Sequence, residues 1–325
     1  MTTTAQAAQA LSPPAWAAGK SGSVTMCPDL LVSDPGCAYW LAQVTLRLRR
    51  EIAWCWYQRG NGIPVQAGML PPATDPAQDS LDLSRFRHDK QAFFAADVTA
   101  RYLSERVAAL GPPQFESRQH GDWAWLVSQC RLTPAAQFVL ACALAARIDA
   151  SLGAVCAAAQ NDLSRPWPTL ALAQRLWDDP LAVVACADGS HKLFRYGLLA
   201  LPASREGLDW QQPLEMPAVL AQALSAAQSQ PGGVIAARKS PPRDWPQEMS
   251  PLLARLRSAP PTAMQVLPLH AARGTDFTAW AQALAQAEGR GLVTLGDDVE
   301  PQHGLRALAT ACWLHGQDLP LPEQW

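Results

Sequence analysis

The sequence predicts a mainly α, multi-domain chain with a small α/β end. Three observations lead there. Apolar residues recur at steps of three or four in several runs between Gly36 and Ala227, the spacing of a helix face. Stretches rich in Gly and Pro separate those runs, as turns and linkers do. Beyond residue 262 short apolar runs alternate with helix-like ones, an order that predicts parallel strands joined by right-handed crossovers.

Residues 1–25 are mostly Thr, Ala, Gln, Pro and Ser, which predicts a disordered tail. Residues 26–125 form a helical N-terminal region. Its first helix runs from Gly36 to Gln58, with Trp40, Leu41, Val44, Leu48, Ile52 and Cys55 as the apolar stripe. Arg47, Arg49, Arg50 and Arg59 decorate the other positions and read as a solvated face. Gly60, Gly62, Pro64, Pro71, Pro72 and Pro76 then predict a loop. A second helix spans about Arg87 to Leu110 and stops at Gly111-Pro112-Pro113, residues that do not continue a helix.

Residues 126–227 read as a winged-helix-like helical domain. Thr133-Pro134 is an N-cap followed by Pro at the first helical position, opening a helix that carries Phe138, Val139, Cys142 and Ile148. Leu152 to Gln160 gives a short helix. Pro168-Thr169 opens Leu170 to Trp177, and Asp179-Pro180 opens Leu181 to Ala187. His191 to Leu201 reads as a helix end passing into a strand, Gly197 to Leu201, and Pro213 to Ala227 as one more helix. Residues 228–262, with Pro231-Gly232-Gly233, Pro241-Pro242 and Pro260-Pro261, are the best linker in the chain, with a helical turn at Leu252 to Leu256. Residues 263–325 read as a partial, degenerate P-loop-like α/β module. Its strands are Met264–Leu269, Leu292–Leu295 and Leu319–Leu321, and its helices Thr278–Ala287 and Gly304–Leu314. That is a partial parallel βαβαβ unit, about half of what a covered parallel sheet requires, and it is expected to be the least protected part of the chain.

Composition bounds the function. The chain has 325 residues, 49% of them hydrophobic and only 17% charged, with a formal net charge of −2. That size fits about two or three domains, and the charge balance argues against a general nucleic-acid binder, which carries a basic excess. The eight cysteines include no CxxC pair, so a zinc site is not expected, and reduced, structural thiols of a cytoplasmic protein are. No basic stretch precedes an apolar core at the N-terminus, so no signal peptide is read there. The longest apolar run, Phe138 to Ala146, is too short to span a bilayer, and no membrane contact is expected.

The most informative stretch is Ala271 to Thr278. A phosphate-binding loop carries Gly at its first and sixth positions, Lys at the seventh and Ser or Thr at the eighth. Here those positions hold Ala271, Asp276, Phe277 and Thr278. Backbone N–H groups and a Lys ammonium normally converge on the phosphates. Phe277 brings no charge and Asp276 the opposite one. The loop therefore reads as a remnant, of which Gly274 and Thr278 are the surviving small or hydroxyl residues, and no cofactor is expected on it.

The run Ala145-Ala146-Arg147-Ile148-Asp149, then Asn161-Asp162, Pro168-Thr169-Leu170-Ala171-Leu172-Ala173 and Arg195-Tyr196-Gly197-Leu198-Leu199, together with the altered loop, resembles the N-terminal half of the AAA+ ATPases associated with contractile injection systems, phage-tail-like particles of bacteria. The resemblance covers about residues 37–325. It implies a helical region and a winged-helix-like domain ahead of a degenerate first ATPase module, with an active module following. This sequence stops at Trp325, before any intact phosphate loop. By the same resemblance Glu323 marks the place of the magnesium-side acid. Without a Lys at position 277 it lacks the partners that phosphoryl transfer needs.

The resemblance implies a non-catalytic adaptor or regulatory region whose partners are proteins: injection-system components, an effector or neighbouring ATPase subunits. The alternative is a winged-helix DNA-binding regulator. Its reading helix would be Thr169 to Trp177, where Gln174 and Arg175 are the residues able to reach base edges, and where Asp178 and Asp179 would repel phosphate. The six histidines do not pair at ligand spacing, Ser84, Ser128 and Ser151 lack a nucleophile-elbow context, and neither a catalytic nor a metal site is assigned. Of the thirteen tryptophans, most are expected in cores and some as interface anchors.

Overall fold

The computed structural model describes residues 32, 34–61, 83–111, 120–200, 209–225, 233–237, 250–258, 267–268, 270, 275, 277–296 and 304–321. They form a mainly helical protein with a small three-stranded mixed sheet near the C-terminal end. No helix among them is long and apolar enough to cross a membrane.

Helix α1, Pro35–Asn61, is the axis of the molecule. Asp34 anchors its start by accepting from the backbone N–H of Cys37 at 2.9 Å and of Trp123 at 2.6 Å, so one carboxylate ties two helix N-termini together. The sequence predicts a one-sided stripe. Instead every residue from Trp40 to Leu48 is buried, because α1 is covered on several sides. Trp40, Leu41, Val44 and Leu48 enter the main core. Leu46 meets Leu103 and Val107, and Trp54 meets Phe93 and Ala100. These last contacts come from α2, Leu83–Ala96, and α3, Val98–Ala109, which break at Asp97, the N-cap of α3. The solvated arginine face is corrected here: Arg47 and Arg50 are buried, while Arg49 and Arg59 are exposed.

Helix α4, Trp123–Cys130, is capped by Asp122, and α5, Pro134–Ile148, by the Thr133 hydroxyl with Pro at its first turn. Ala135 to Ala145 of α5 are all buried, so α5 is the second central helix. Around it lie α6, Leu152–Gln160; α7, Leu170–Leu176, capped by Thr169; α8, Pro180–Val184, capped by Asp179; and the single turn α9, Lys192–Arg195. The predicted strand at Gly197 to Leu201 is not formed through residue 200, and Leu201 lies outside the described residues. Gly197 takes a φ of +65° and the chain turns there. Leu198 and Leu199 are buried as turn residues, and the Ala200 N–H donates to the Glu215 carbonyl. Helix α10 is Ala218–Ser225; it starts later than the predicted Pro213, and residues 226 and 227 lie outside the described residues.

Strand β1, Val234–Ala236, lies inside the segment read as linker. It pairs antiparallel with β2, Gly291–Leu295, which pairs parallel with β3, Gln317–Asp318. The all-parallel βαβαβ expectation is therefore corrected to a mixed sheet. Of the expected strand Met264–Leu269, Leu267 and Pro268 adopt no strand and the other positions lie outside the described residues. The third strand forms at Gln317–Asp318 rather than at Leu319–Leu321. Between them stand α11, Ser250–Ser258, α12, Phe277–Ala287, and α13, Leu305–Leu314. Helix α13 belongs to both parts: Ala307, Ala311 and Leu314 enter the main core with Leu220, Ala221 and Leu224 of α10, while Leu308 and Cys312 meet Val234 and Val293 of the sheet.

Candidate functional site

The remnant loop offers little geometry. Gly274 lies outside the described residues, and Thr278 is half-buried in the first turn of α12. Phe277, at the position of the phosphate-binding Lys, is 43% exposed. The chemistry of the described residues is concentrated elsewhere, where α1 meets α2, α3 and α7.

Two ionic clusters lie there, one turn apart on α1. In the first, Arg47 Nη1 stands 2.7 Å from Asp178 Oδ2 and Arg50 Nη2 3.0 Å from Asp178 Oδ1. Asp178 follows directly on Trp177, whose extended backbone ends α7 and turns the carboxylate toward α1. Arg47 also donates to Gln43 Oε1 and to the Leu176 carbonyl. Its guanidinium lies 4.8 Å from the Trp177 ring centroid, and that of Arg50 lies 4.5 Å from the Phe94 ring, close enough for cation–π attraction. Burial pushes the Arg47 guanidinium below its ordinary range, against the pull of Asp178. Burial also pushes the Asp178 carboxyl up, but the charges and hydrogen bonds of Arg47 and Arg50 outweigh it and hold the carboxyl below the usual range.

In the second cluster Glu51, 2% exposed, accepts from Lys90 Nζ at 2.6 Å and from Arg175 Nη2 at 2.7 Å. Arg175 further donates to the Ala159 carbonyl, with Cys55 Sγ 3.8 Å away, and Lys90 donates to the Arg175 carbonyl. Burial holds the Lys90 ammonium below its ordinary range although Glu51 opposes the shift.

These clusters account for residues the sequence offered as DNA readers. Arg175 points into α1, and Gln174 donates to the Pro180 carbonyl. Asp178 neutralises arginines rather than facing a phosphate. Sequence reasoning missed Glu51, Lys90 and Asp178 as a connected set. The signal was partial: Arg47, Arg50 and Glu51 share a face at steps of three and four, but their partners lie in distant segments.

Beside the first cluster an open cleft of about 390 Å³ lies between α1 and α3, reaching Tyr39, Gln43, Ser104 and Gly111. A separate ring cluster joins α4 to α13. His120 lies 4.1 Å from Trp125, and Trp125 4.5 Å from Trp313, centroid to centroid. Burial pushes both His120 and the neighbouring His315 below their ordinary range. The seven described cysteines are free and buried. Burial raises Cys130 and Cys156 to about 12 and Cys186 and Cys312 to about 11, so these thiols are protonated and poor nucleophiles near neutral pH. Among the described residues, His, Cys, Asp and Glu form no group of three able to hold a metal. Comparison with protein-family models, with curated proteins and with solved structures returned no match.

Proposed function

We propose that the chain is a non-catalytic adaptor or regulatory region of the kind that precedes the motor in the contractile-injection-system AAA+ ATPases, with residues 126–227 in the place of the winged-helix-like domain and residues 263–325 in that of the degenerate ATPase module. It works through protein contacts. The observation that carries this reading is how α7 and α8 distribute their side chains. Helix α7 commits Gln174 and Arg175 to contacts within the protein, with the Pro180 carbonyl and Glu51, which takes from it the polar side chains a DNA-reading helix needs. The adjoining α8 turns Leu181, 79% exposed, and Val184, 45% exposed, outward three residues apart, a pair suited to an apolar protein contact. Phe277 in the lysine position of the loop supports the non-catalytic part.

The test uses contractile particles and the motor module purified from the same source as the chain. The full chain is expected to co-sediment with one of them, and the Leu181→Asp/Val184→Asp variant, with unchanged circular dichroism, to lose that association at least about tenfold. Failure of the unaltered chain to associate with either would overturn the proposal.

A further inference from the structure

We propose that the cleft between α1 and α3 is an oxyanion site, taking the carboxylate or phosphate group of a small molecule against Arg50 and Arg47, beside Asp178.

The charge count motivates it. The side chains of Arg47 and Arg50 are only 6% and 10% exposed, and both rest on one carboxylate, Asp178. Of the groups whose charge bears on Arg47, Asp178 and the Tyr39 phenol favour its cation and Arg50 opposes it. With the phenol neutral at ordinary pH, the cluster holds two positive charges against one negative. A buried cation without its own counter-ion is costly, and a lock between α1 and α7 would need one arginine, not two.

The donors point the same way. A guanidinium offers five N–H groups, and among the described residues Arg50 gives hydrogen bonds to the Ser104 hydroxyl and Asp178. The Tyr39 hydroxyl accepts from Gln43 Nε2, which leaves its own proton to give. Both arginines, Tyr39 and Ser104 line the same cleft. Gly111, which also lines the cleft, has a φ of +63°, and a Cβ there would meet nothing within 4 Å. Two guanidiniums with a phenolic O–H beside an open volume are the chemistry that recognises planar or tetrahedral oxyanions; the Ser104 hydroxyl and the Gln43 amide are already committed to the Ala100 and Val107 carbonyls.

The experiment titrates the full chain with inorganic phosphate and, separately, with succinate, at ionic strength held constant with chloride. It reads calorimetric heat and the arginine side-chain Nε–H resonances. At least one probe is expected to saturate in the micromolar-to-millimolar range and to shift an arginine resonance, and the stronger probe identifies phosphate or carboxylate as the preferred group. Asp178→Asn raises the cluster from one to two net positive charges and is expected to tighten binding about tenfold, while Arg50→Gln is expected to weaken it about tenfold. If neither probe saturates on the unaltered chain, the proposal is overturned. It is equally overturned if Arg50→Gln, folded by circular dichroism, binds as the unaltered chain does. Where Arg50→Gln does not fold, an affinity unchanged in Asp178→Asn overturns it.

Discussion

Glu51 is 2% exposed and is the acid on which two cations from different helices converge. A carboxylate in that position is stable only while both partners are present, because desolvation of the charge must be offset by close opposite charge and hydrogen bonds. Glu51→Gln would leave Lys90, whose side chain is 13% exposed, as an uncompensated buried cation. Arg175 would suffer less, since its side chain is 42% exposed and water screens it. The expected loss of stability is about 3 kcal/mol, mostly from Lys90, read from the midpoint of chemical denaturation. Combining Glu51→Gln with Lys90→Met should recover more than half of that loss, because the stranded charge is gone. A double variant no more stable than the single one would show that the cluster acts through shape rather than charge.

The join of α13 to the helical core, at the turns before α4 and after α9, is made by unusually close backbone. Gly121 has a φ of +89°, and a Cβ on it would lie 2.3 Å from the Leu314 carbonyl oxygen. Gly197 has a φ of +65°, and a Cβ there would lie 2.9 Å from the Ala307 nitrogen. Both approaches are to backbone, so neither is relieved by a rotamer change. Gly121→Ala adds the strain of a positive φ to that clash, and should cost at least about 2 kcal/mol, seen as a lowered melting temperature. The same join carries a pH dependence. His120 faces the Leu314 carbonyl, the charge of Arg290 and the ring of His315, and Arg290 is itself paired with Asp318. Burial lowers the pKa of both histidines in the folded chain from a starting value of 6.5. Above that value both are neutral whether the chain is folded or unfolded. As pH falls through it the unfolded chain takes up protons first, so stability is lost until the folded-state pKa values are passed. The melting temperature is therefore expected to drop between about pH 7.5 and pH 5.5, and by less in His315→Gln. An equal drop in the variant would assign the effect to other groups.

On the scale of the whole molecule, local punctuation was legible and long-range partnership was not. Thr133-Pro134, Thr169 and Asp179-Pro180 start the helices their chemistry predicts, since capping is decided within four residues. The all-round burial of α1 escaped the pattern because Gln43, Arg47 and Glu51 read as polar yet are buried against partners in distant segments, Val107, Asp178 and Arg175 among them. The strand at Val234–Ala236 was hidden in a Pro- and Gly-rich stretch, where it forms only because β2 supplies its ladder. The altered phosphate loop was legible as a motif, but its Gly274 lies outside the described residues and its role is a proposal. The sequence of the C-terminal part predicts a separate, weakly protected unit, and α13 places Ala307, Ala311 and Leu314, each 3% exposed or less, in the main core. Helix α12 buries only alanines, Ala279, Ala281, Ala283 and Ala285, and alanine contributes little apolar area. Protection from hydrogen exchange follows buried contacts. The amides of α13 should therefore exchange as slowly as those of α5, within about tenfold, while those of α12 exchange faster by about a hundredfold or more. Mass spectrometry of the exchanged, proteolysed chain resolves the two helices. Equal, fast exchange in α12 and α13 would return the segment to an independent module, and Gly121→Ala should then leave α5 untouched. If α13 belongs to the core, the same substitution should speed exchange in α13 and α4 together and leave α12 as it was.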